Sequence, residues 1–428
     1  MNEFPAAPPR PSAFRPLGDS AADTAVAESW RRVLPIAASL HPYDRNRLAT
    51  AVGHLVSLSH HGGLLGPNTT WLEIGSGIGM KSLAIAPHVG AYLAVELDAD
   101  QTARAEQLAQ QCGMKNIHHS ARNAIDVISD RAVSGNGVDV LMLYAVLEHL
   151  LPEERTPILE LARRTVEQGG AVIVMETPNR LIPFDGHTTQ LHHVQMLPDE
   201  LAIEYTARSL RPEIRDPLLH APTPQAKREV LYRSGRALSY HEFELAWSAA
   251  AADIPIGIDG FDVELLNQEP LTRQEVDLRR YVAGNDLPVS PAFCRSWIEL
   301  VAAERFREGG VRPSMLVEPV TGDHHFHRST TFWSLDVARI EGGEAMTFDR
   351  SGSTSGSAIV LLDVAASTGE VAVNVDGEPL VTIDVEDLRR SRLPVWHSFA
   401  AVELPMTGSS VELRALPGAA LSGYGLLI

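Results

Sequence analysis

The stretch Trp71-Leu72-Glu73-Ile74-Gly75-Ser76-Gly77-Ile78-Gly79-Met80 decides the fold. An apolar run carrying one acid ends in three glycines at alternate positions. Met80-Lys81-Ser82-Leu83-Ala84-Ile85-Ala86 then follows with the composition of a helix. A strand, a tight turn and a helix start of this kind let a ligand approach bare backbone. Twenty-one residues beyond Gly75, a second apolar run over 91–95 ends in Glu96. A carboxylate at the end of a second strand can accept both ribose hydroxyls of a nucleoside. Two strands, a glycine turn and an acid therefore predict the nucleoside-binding half of a doubly wound α/β sheet.

The glycine spacing narrows the ligand. The dinucleotide fingerprint is G-x-G-x-x-G, whereas this chain reads E-x-G-x-G-x-G with Met80 where the last dinucleotide glycine would stand. A nicotinamide-dependent oxidoreductase is disfavoured on that ground. The segment resembles motif I of the class I S-adenosylmethionine-dependent methyltransferases. The resemblance implies that Gly75, Gly77 and Gly79 pass the methionine moiety of the cofactor, that Glu96 holds its ribose and that Glu73 braces the turn.

Three later segments continue the resemblance in order. A short strand candidate over 116–119 precedes Asn123, the position that the family uses against the adenine amino group. The run 138–150 resembles the fourth strand and its exit. Its ending Leu147-Glu148-His149-Leu150 resembles the branch that includes the ubiquinone-pathway O-methyltransferases. Tyr144 at that exit either contacts the substrate or closes the cofactor pocket. The run 169–180 resembles the fifth strand, with the Thr177-Pro178-Asn179-Arg180 ending of the same branch. The resemblance covers roughly 66 to 200, and its strength lies in the ordered set.

Composition sets outer limits. A chain of 428 residues has room for two or three domains, and 44% hydrophobic with 21% charged residues is ordinary for a globular protein. A net charge of −18 without a Lys/Arg run argues against a nucleic-acid partner. Cys112 and Cys294 are the only cysteines, so a disulfide framework is not expected and a reducing cytosol is. The N-terminal residues have neither a basic start nor an apolar core of the signal-peptide kind, and no apolar run reaches membrane-spanning length.

Four regions follow from texture. Residues 1–20 are proline-rich and expected to be loose. Residues 21–65 read as a helical cap: Trp30, Val33, Leu34 and Ile36 cluster, and Leu48, Val52, Leu55 and Leu58 recur at helical spacing. Residues 66–327 form the methyltransferase-like domain, with helical insertions at about 200–255 and 267–310. Within it, 258–266 resembles a sixth strand introduced by Gly260-Phe261, and 312–318 is the candidate seventh. From 328 to 428 short Val/Leu/Ile-rich runs alternate with turns such as Asp376-Gly377, which predicts a C-terminal antiparallel β-sandwich. Modules of that kind bind carbohydrate, mediate homo-oligomers or serve as structural appendages.

The chemistry must come from the acceptor side. A sulfonium cofactor is already activated, so the protein aligns the partners and excludes water. A hydroxyl acceptor further needs a base or a metal. The candidates follow strands four and five: His149, and the loop from Phe184 to His193, which resembles a D-x-H-T segment of methyltransferases for glycan and natural-product assembly. Two readings stand. In one, His187 or His149 is the general base, oriented by Asp185 or Glu148. In the other, Asp185, His187 and one of His192 or His193 hold a divalent cation such as Mg²⁺ or Mn²⁺. The tract Asp323-His324-His325-Phe326-His327 reads as a linker or surface turn. The expected activity is O-methylation of a hydroxylated small molecule or glycan. N-methylation of an amine or peptide and a non-catalytic cofactor- and glycan-binding scaffold are the alternatives.

Overall fold

Strands buried on both faces have to be apolar along their whole length rather than in alternation. The fourth and fifth strands here, Val140–Tyr144 (β4) and Ala171–Pro178 (β5), are buried almost throughout. β4 lies between β5 and β1 (Gly66–Ile74), and β2 (Val89–Glu96) lies between β1 and β3 (Ile117–Ala121). These observations come from a computed structural model, which describes residues 20–129, 137–267, 269, 271–307, 313–323, 325–328, 336–353, 355–391 and 399–428.

Seven strands make one sheet in the order β3-β2-β1-β4-β5-β7-β6, with β6 spanning Ile256–Asp259 and β7 spanning Trp297–Ala303. The first five run parallel, and β7 runs antiparallel between β5 and β6. The order reverses between β1 and β4. A cleft therefore opens at their carboxyl ends, where open α/β sheets bind ligands.

Each face of the sheet is covered. On one side the helices Ser20–Ala37, Pro42–Thr50 and Val56–His61 bring Trp30, Val33, Leu48 and Val56 against Trp71, Met142 and Ile173. On the other, the helix Pro152–Glu167 lays Ile158, Leu159 and Ala162 on Leu141, Leu143 and Val174. Burying a side chain of that size contributes about 1.5–3 kcal/mol, so these layers fix where the strand ends point.

Two strands differ from the sequence expectation. The sixth ends before Gly260-Phe261 instead of following it, and Val263–Leu266 is one turn of helix. Arg295 occupies the space a Cβ on Gly260 would need, and the Asp259 carboxylate accepts the Phe261 N–H, so the chain turns there. The seventh strand is Trp297–Ala303, inside the segment read as an insertion, and not 312–318. Glu299 interrupts an otherwise apolar run and disguised it.

The C-terminal strands form two antiparallel sheets, one of five and one of six strands, packed as a sandwich. The hairpin at Asp376-Gly377 has both residues at positive φ, as its two-residue turn requires. The strands begin at Leu316–Val317, ahead of residue 328. The Asn267 amide accepts from Ala401 N and donates to Ala401 O, tying the sandwich to the sheet domain through a buried pair of hydrogen bonds.

Candidate active site

The glycine turn follows β1 directly. Gly75, Gly77 and Gly79 all have positive φ, at 75°, 54° and 82°. Their missing side chains serve different ends. A Cβ on Gly75 would meet Val146 at 2.6 Å, and one on Gly79 would meet Ser82 and Ala105 at 3.0 and 3.2 Å, so these two glycines let the β4 exit and neighbouring helices close in. At Gly77 the nearest atom is Gln101 Oε1 at 3.4 Å, which leaves that face of the turn open to a ligand.

Glu96 closes the same turn. Its carboxylate accepts Gly77 N at 2.8 Å, Leu97 N at 2.8 Å and Asp98 N at 3.1 Å, so it is held at the β2 end with lone pairs to spare. Glu73 lies deeper. It is fully buried, accepts the Tyr92 hydroxyl at 2.9 Å and lies 3.8 Å from Lys81 Nζ. Burial raises its pKa, opposed by the Lys81 charge. It braces the strands and the following helix rather than facing a ligand. Asn123 sits at the β3 exit and its side-chain oxygen accepts Ile125 N at 2.8 Å.

Tyr144 at the end of β4 is buried and donates to Glu176 at 2.6 Å. Arg47, from the helix Pro42–Thr50, lies 3.6 Å from Glu176 and 5.9 Å from the Tyr144 ring centroid. Lys81 Nζ lies 4.6 Å from the same ring. Nothing in the sequence marked Arg47 or Glu176, because their helix and strand end meet only in the fold. Ala145 and Glu176, in the two adjoining strand exits, both adopt left-handed backbone (φ 49° and 51°), strain of a kind stored at functional sites.

The acceptor side is assembled from three segments. Leu147–His149 is a single 3₁₀ turn after β4. Buried Arg155 donates to Leu147 O, Glu148 O and Arg236 O, and Arg236 donates to Val194 O and through its backbone N–H to Glu148 O. Two buried guanidinium groups thus fasten the 147–149 turn to 194–197 and to 235–237. His187 enters from the loop after β5. Asn179 fixes that loop by donating to Phe293 O and Arg295 O.

This scaffold brings Glu148, His149 and His187 together. Glu148 Oε1 is 3.5 Å from His149 Nε2 and 4.0 Å from His187 Nε2, and the two rings are 5.4 Å apart. Glu148 is fully buried, and no other described residue donates to either of its oxygens. Burial pushes its pKa up to about 8. Burial and the neighbouring His149 push His187 down to about 4, so at neutral pH it is an uncharged imidazole. Val146, the residue just before the turn, is the one packed on Gly75, so the cluster adjoins the glycine turn.

Asp185 does not take the part expected of it. Its carboxylate accepts Thr188 N, Thr189 N and the Thr189 hydroxyl, at 2.7–3.0 Å, and so folds its own loop instead of orienting an imidazole. The expected metal set is not assembled either. His192 packs on Phe184 at 5.1 Å, His193 has left-handed backbone, Asp185 is occupied, and among the described residues these side chains do not bring their ligand atoms within 4.8 Å of one another. Glu148 is the carboxylate that faces both imidazoles. The tract 323–327 includes His324 and side chains outside the described residues.

Beside His187 opens a cavity of about 560 Å³, walled by Trp297, Phe184, His192, Gln195, Glu269 and Thr272. Glu269 and Trp297 were not singled out from the sequence. They fall in the stretch read as insertion, and only the placement of β7 brings them to the strand-exit side.

Residues 72–174 match the family described as Methyltransferase domain. No curated protein matches the chain. Among solved structures it is similar to PKMT2 of Rickettsia typhi in complex with AdoHcy, at 16% identity over 55% of this chain and 49% of that one, TM-score 0.34. It is similar to the YcgJ protein of Bacillus subtilis, at 18% identity over 28% and 50%, TM-score 0.24. A third is an S-adenosylmethionine-dependent methyltransferase of Clostridium acetobutylicum, at 13% identity over 36% and 58%, TM-score 0.25. The chain spans about half the length of the solved structures it matches first. The matched segment holds the glycine turn, Glu96, Tyr144 and the Glu148-His149 turn, and His187 lies thirteen residues beyond it. No helix among the described residues is long and apolar enough to cross a membrane.

Proposed function

We propose that the protein transfers a methyl group from S-adenosylmethionine to a hydroxyl of a small hydroxylated acceptor, such as a sugar, a glycoconjugate or a related metabolite. The cofactor fits the residues present. The open face at Gly77 gives it backbone to lie against, and the fixed Glu96 carboxylate gives its ribose an acceptor. The cofactor supplies a sulfonium-activated methyl group. The protein has to supply alignment, a dry cleft and a destination for the acceptor's proton.

One observation favours oxygen over nitrogen as the acceptor atom: the imidazoles of His149 and His187 converge with Glu148 beside the cavity, where they can take up a proton. A neutral amine attacks without such help, whereas a hydroxyl must lose its proton as the new bond forms. The cavity wall also suits a hydroxylated ring, with Trp297 and Phe184 offering flat apolar faces and Gln195, Glu269 and Thr272 offering hydrogen bonds. In the balanced reaction the acceptor O–H is lost, an O–C bond forms as the C–S bond breaks, S-adenosylhomocysteine departs and one proton goes to solvent.

Calorimetric titration of S-adenosylhomocysteine, followed by methyl transfer from labelled S-adenosylmethionine to matched panels of hydroxylated and amine acceptors, tests the reading. Micromolar binding with label on a hydroxyl is expected. Label confined to amines, with full activity in His187→Ala, would replace O- by N-methylation. Binding with no transfer to any acceptor would leave a cofactor-binding scaffold.

A further inference from the structure

Three hydrogen bonds fix the protonation pattern of the cluster. His149 Nδ1 lies 2.9 Å from Arg233 O, a carbonyl that can only accept, so Nδ1 carries the proton and Nε2 a bare lone pair. The Thr188 hydroxyl donates its one hydrogen to Gly235 O at 2.7 Å, so it accepts from His187 Nδ1 at 2.9 Å. His187 Nε2 is therefore bare as well. Both bare nitrogens point towards Glu148 Oε1, in a carboxylate to which no other described residue donates. Once Glu148 gives up its proton, three acceptors face one another with no donor among the described residues between them. Lone pairs arranged this way repel unless a cation sits among them, and an unpartnered buried carboxylate is costly.

We propose that Glu148, His149 and His187 bind a divalent transition metal that coordinates the acceptor hydroxyl. Among the described residues they form the one set of three or more His, Cys, Asp or Glu whose ligand atoms lie within 4.8 Å of one another. Metal–ligand bonds of about 2.0–2.2 Å require only a modest contraction of that spacing. Two further features are those of built sites. Each imidazole is held by its far nitrogen, His149 on a backbone carbonyl and His187 on Thr188 and through it Gly235. The ligands supply three positions and His187 borders the cavity, which leaves coordination sites for an acceptor oxygen. Two nitrogens and one carboxylate favour Zn²⁺, Mn²⁺ or another first-row ion over Mg²⁺, which prefers an all-oxygen shell. The chemistry asked of the ion is to lower the acceptor hydroxyl's pKa, with the released proton passing to solvent. The site thus selects acceptors able to present a hydroxyl, or two neighbouring oxygens, to the metal. This proposal deepens the O-methyltransferase reading and rests on it for the ion's purpose, though not for its binding.

The test is titration of Mn²⁺ and of Zn²⁺ into chelator-treated full-length protein, with Co²⁺ absorption as a spectroscopic report of the ligand set. Wild type should take up one ion. His187→Ala and Glu148→Gln should weaken uptake by at least 100-fold, and Thr188→Val by about 10- to 100-fold through the lost outer contact. S-adenosylhomocysteine binding should stay within about twofold in all three, which also reports that they are folded. Methyl transfer should vanish with chelator and return with Mn²⁺ or Zn²⁺. Uptake that no variant alters, or full transfer in the chelated enzyme, would overturn the proposal and make His187 a bare base. A protein that binds the ion but not S-adenosylhomocysteine would keep the metal site and sink the methyltransferase reading instead.

Discussion

The cofactor end of the cleft is made of the glycine turn and the strand end that follows it, within 75–96, and its Glu96 carboxylate is already hydrogen-bonded. The acceptor end is made of side chains at 147–149 and 187–188, held by the backbone carbonyl of Gly235, and its central Glu148 carboxyl has no hydrogen-bond partner among the described residues. At the first, Gly77 N–H and the two amides after Glu96 already meet the Glu96 carboxylate. At the second, a buried carboxylate and two bare imidazole nitrogens confront one another. A completed site can bind its ligand with little rearrangement, as a general cofactor site should. A site left with unmet acceptors is built around something that arrives. The two ends should then fail independently, which can be tested.

The largest effect is expected from Gly235, a residue that touches no cofactor. A Cβ there would lie 2.5 Å from His187 Nδ1 and 2.6 Å from Thr188 Oγ1, at a φ of +121° that other residues rarely adopt. Gly235→Ala should displace His187 and lower kcat by about 100-fold, the scale of a 1 Å misplacement at a reacting centre. S-adenosylhomocysteine affinity should be unchanged. A variant with normal kcat would show that His187 has no part in turnover.

Glu96→Ala attacks the other end. Losing charge-assisted hydrogen bonds to the ribose should cost about 1–3 kcal/mol of cofactor affinity, measured as the S-adenosylhomocysteine dissociation constant. Metal uptake at Glu148, His149 and His187 should not move. If the dissociation constant is unaltered, Glu96 serves only to pin the glycine turn.

The same contrast explains what the sequence could reveal. The cofactor half was legible because its determinants are local: three glycines, a strand before them and an acid one strand later all fall within 71–96. The acceptor half was legible only as a list of candidate histidines and carboxylates. His149 and His187 were both on that list, but proximity in sequence linked His187 to Asp185. In the fold Asp185 is spent on Thr188 and Thr189, and the partner comes from a turn some forty residues earlier. The bracing by Arg155 and Arg236, separated by 81 residues, has no sequence signature at all. Likewise β7 was hidden because one acid, Glu299, broke the apolar run.

That acid gives the smallest of the expected effects. Glu299 is 5% exposed, and burial, reinforced by the charge of Glu269 and opposed by Arg295, raises its pKa to about 8. The folded protein therefore keeps a proton that the unfolded chain releases near pH 4.5. The stability this contributes is complete below that pH and declines as pH rises towards 8, by at most about 1.4 kcal/mol per unit. Glu269, raised to about 7, titrates in the same window and shares the effect. Glu299→Gln keeps the shape and removes one titrating group. Between pH 5 and 8 the urea midpoint of the wild type should fall more steeply than that of the variant, and the two should differ most at the alkaline end, where the variant is the more stable. Parallel curves would mean that Glu299 is ionised in the folded state and paired with Arg295. In that case Arg295, which already donates to Glu275 at 3.2 Å, would carry two carboxylates beneath the acceptor cavity.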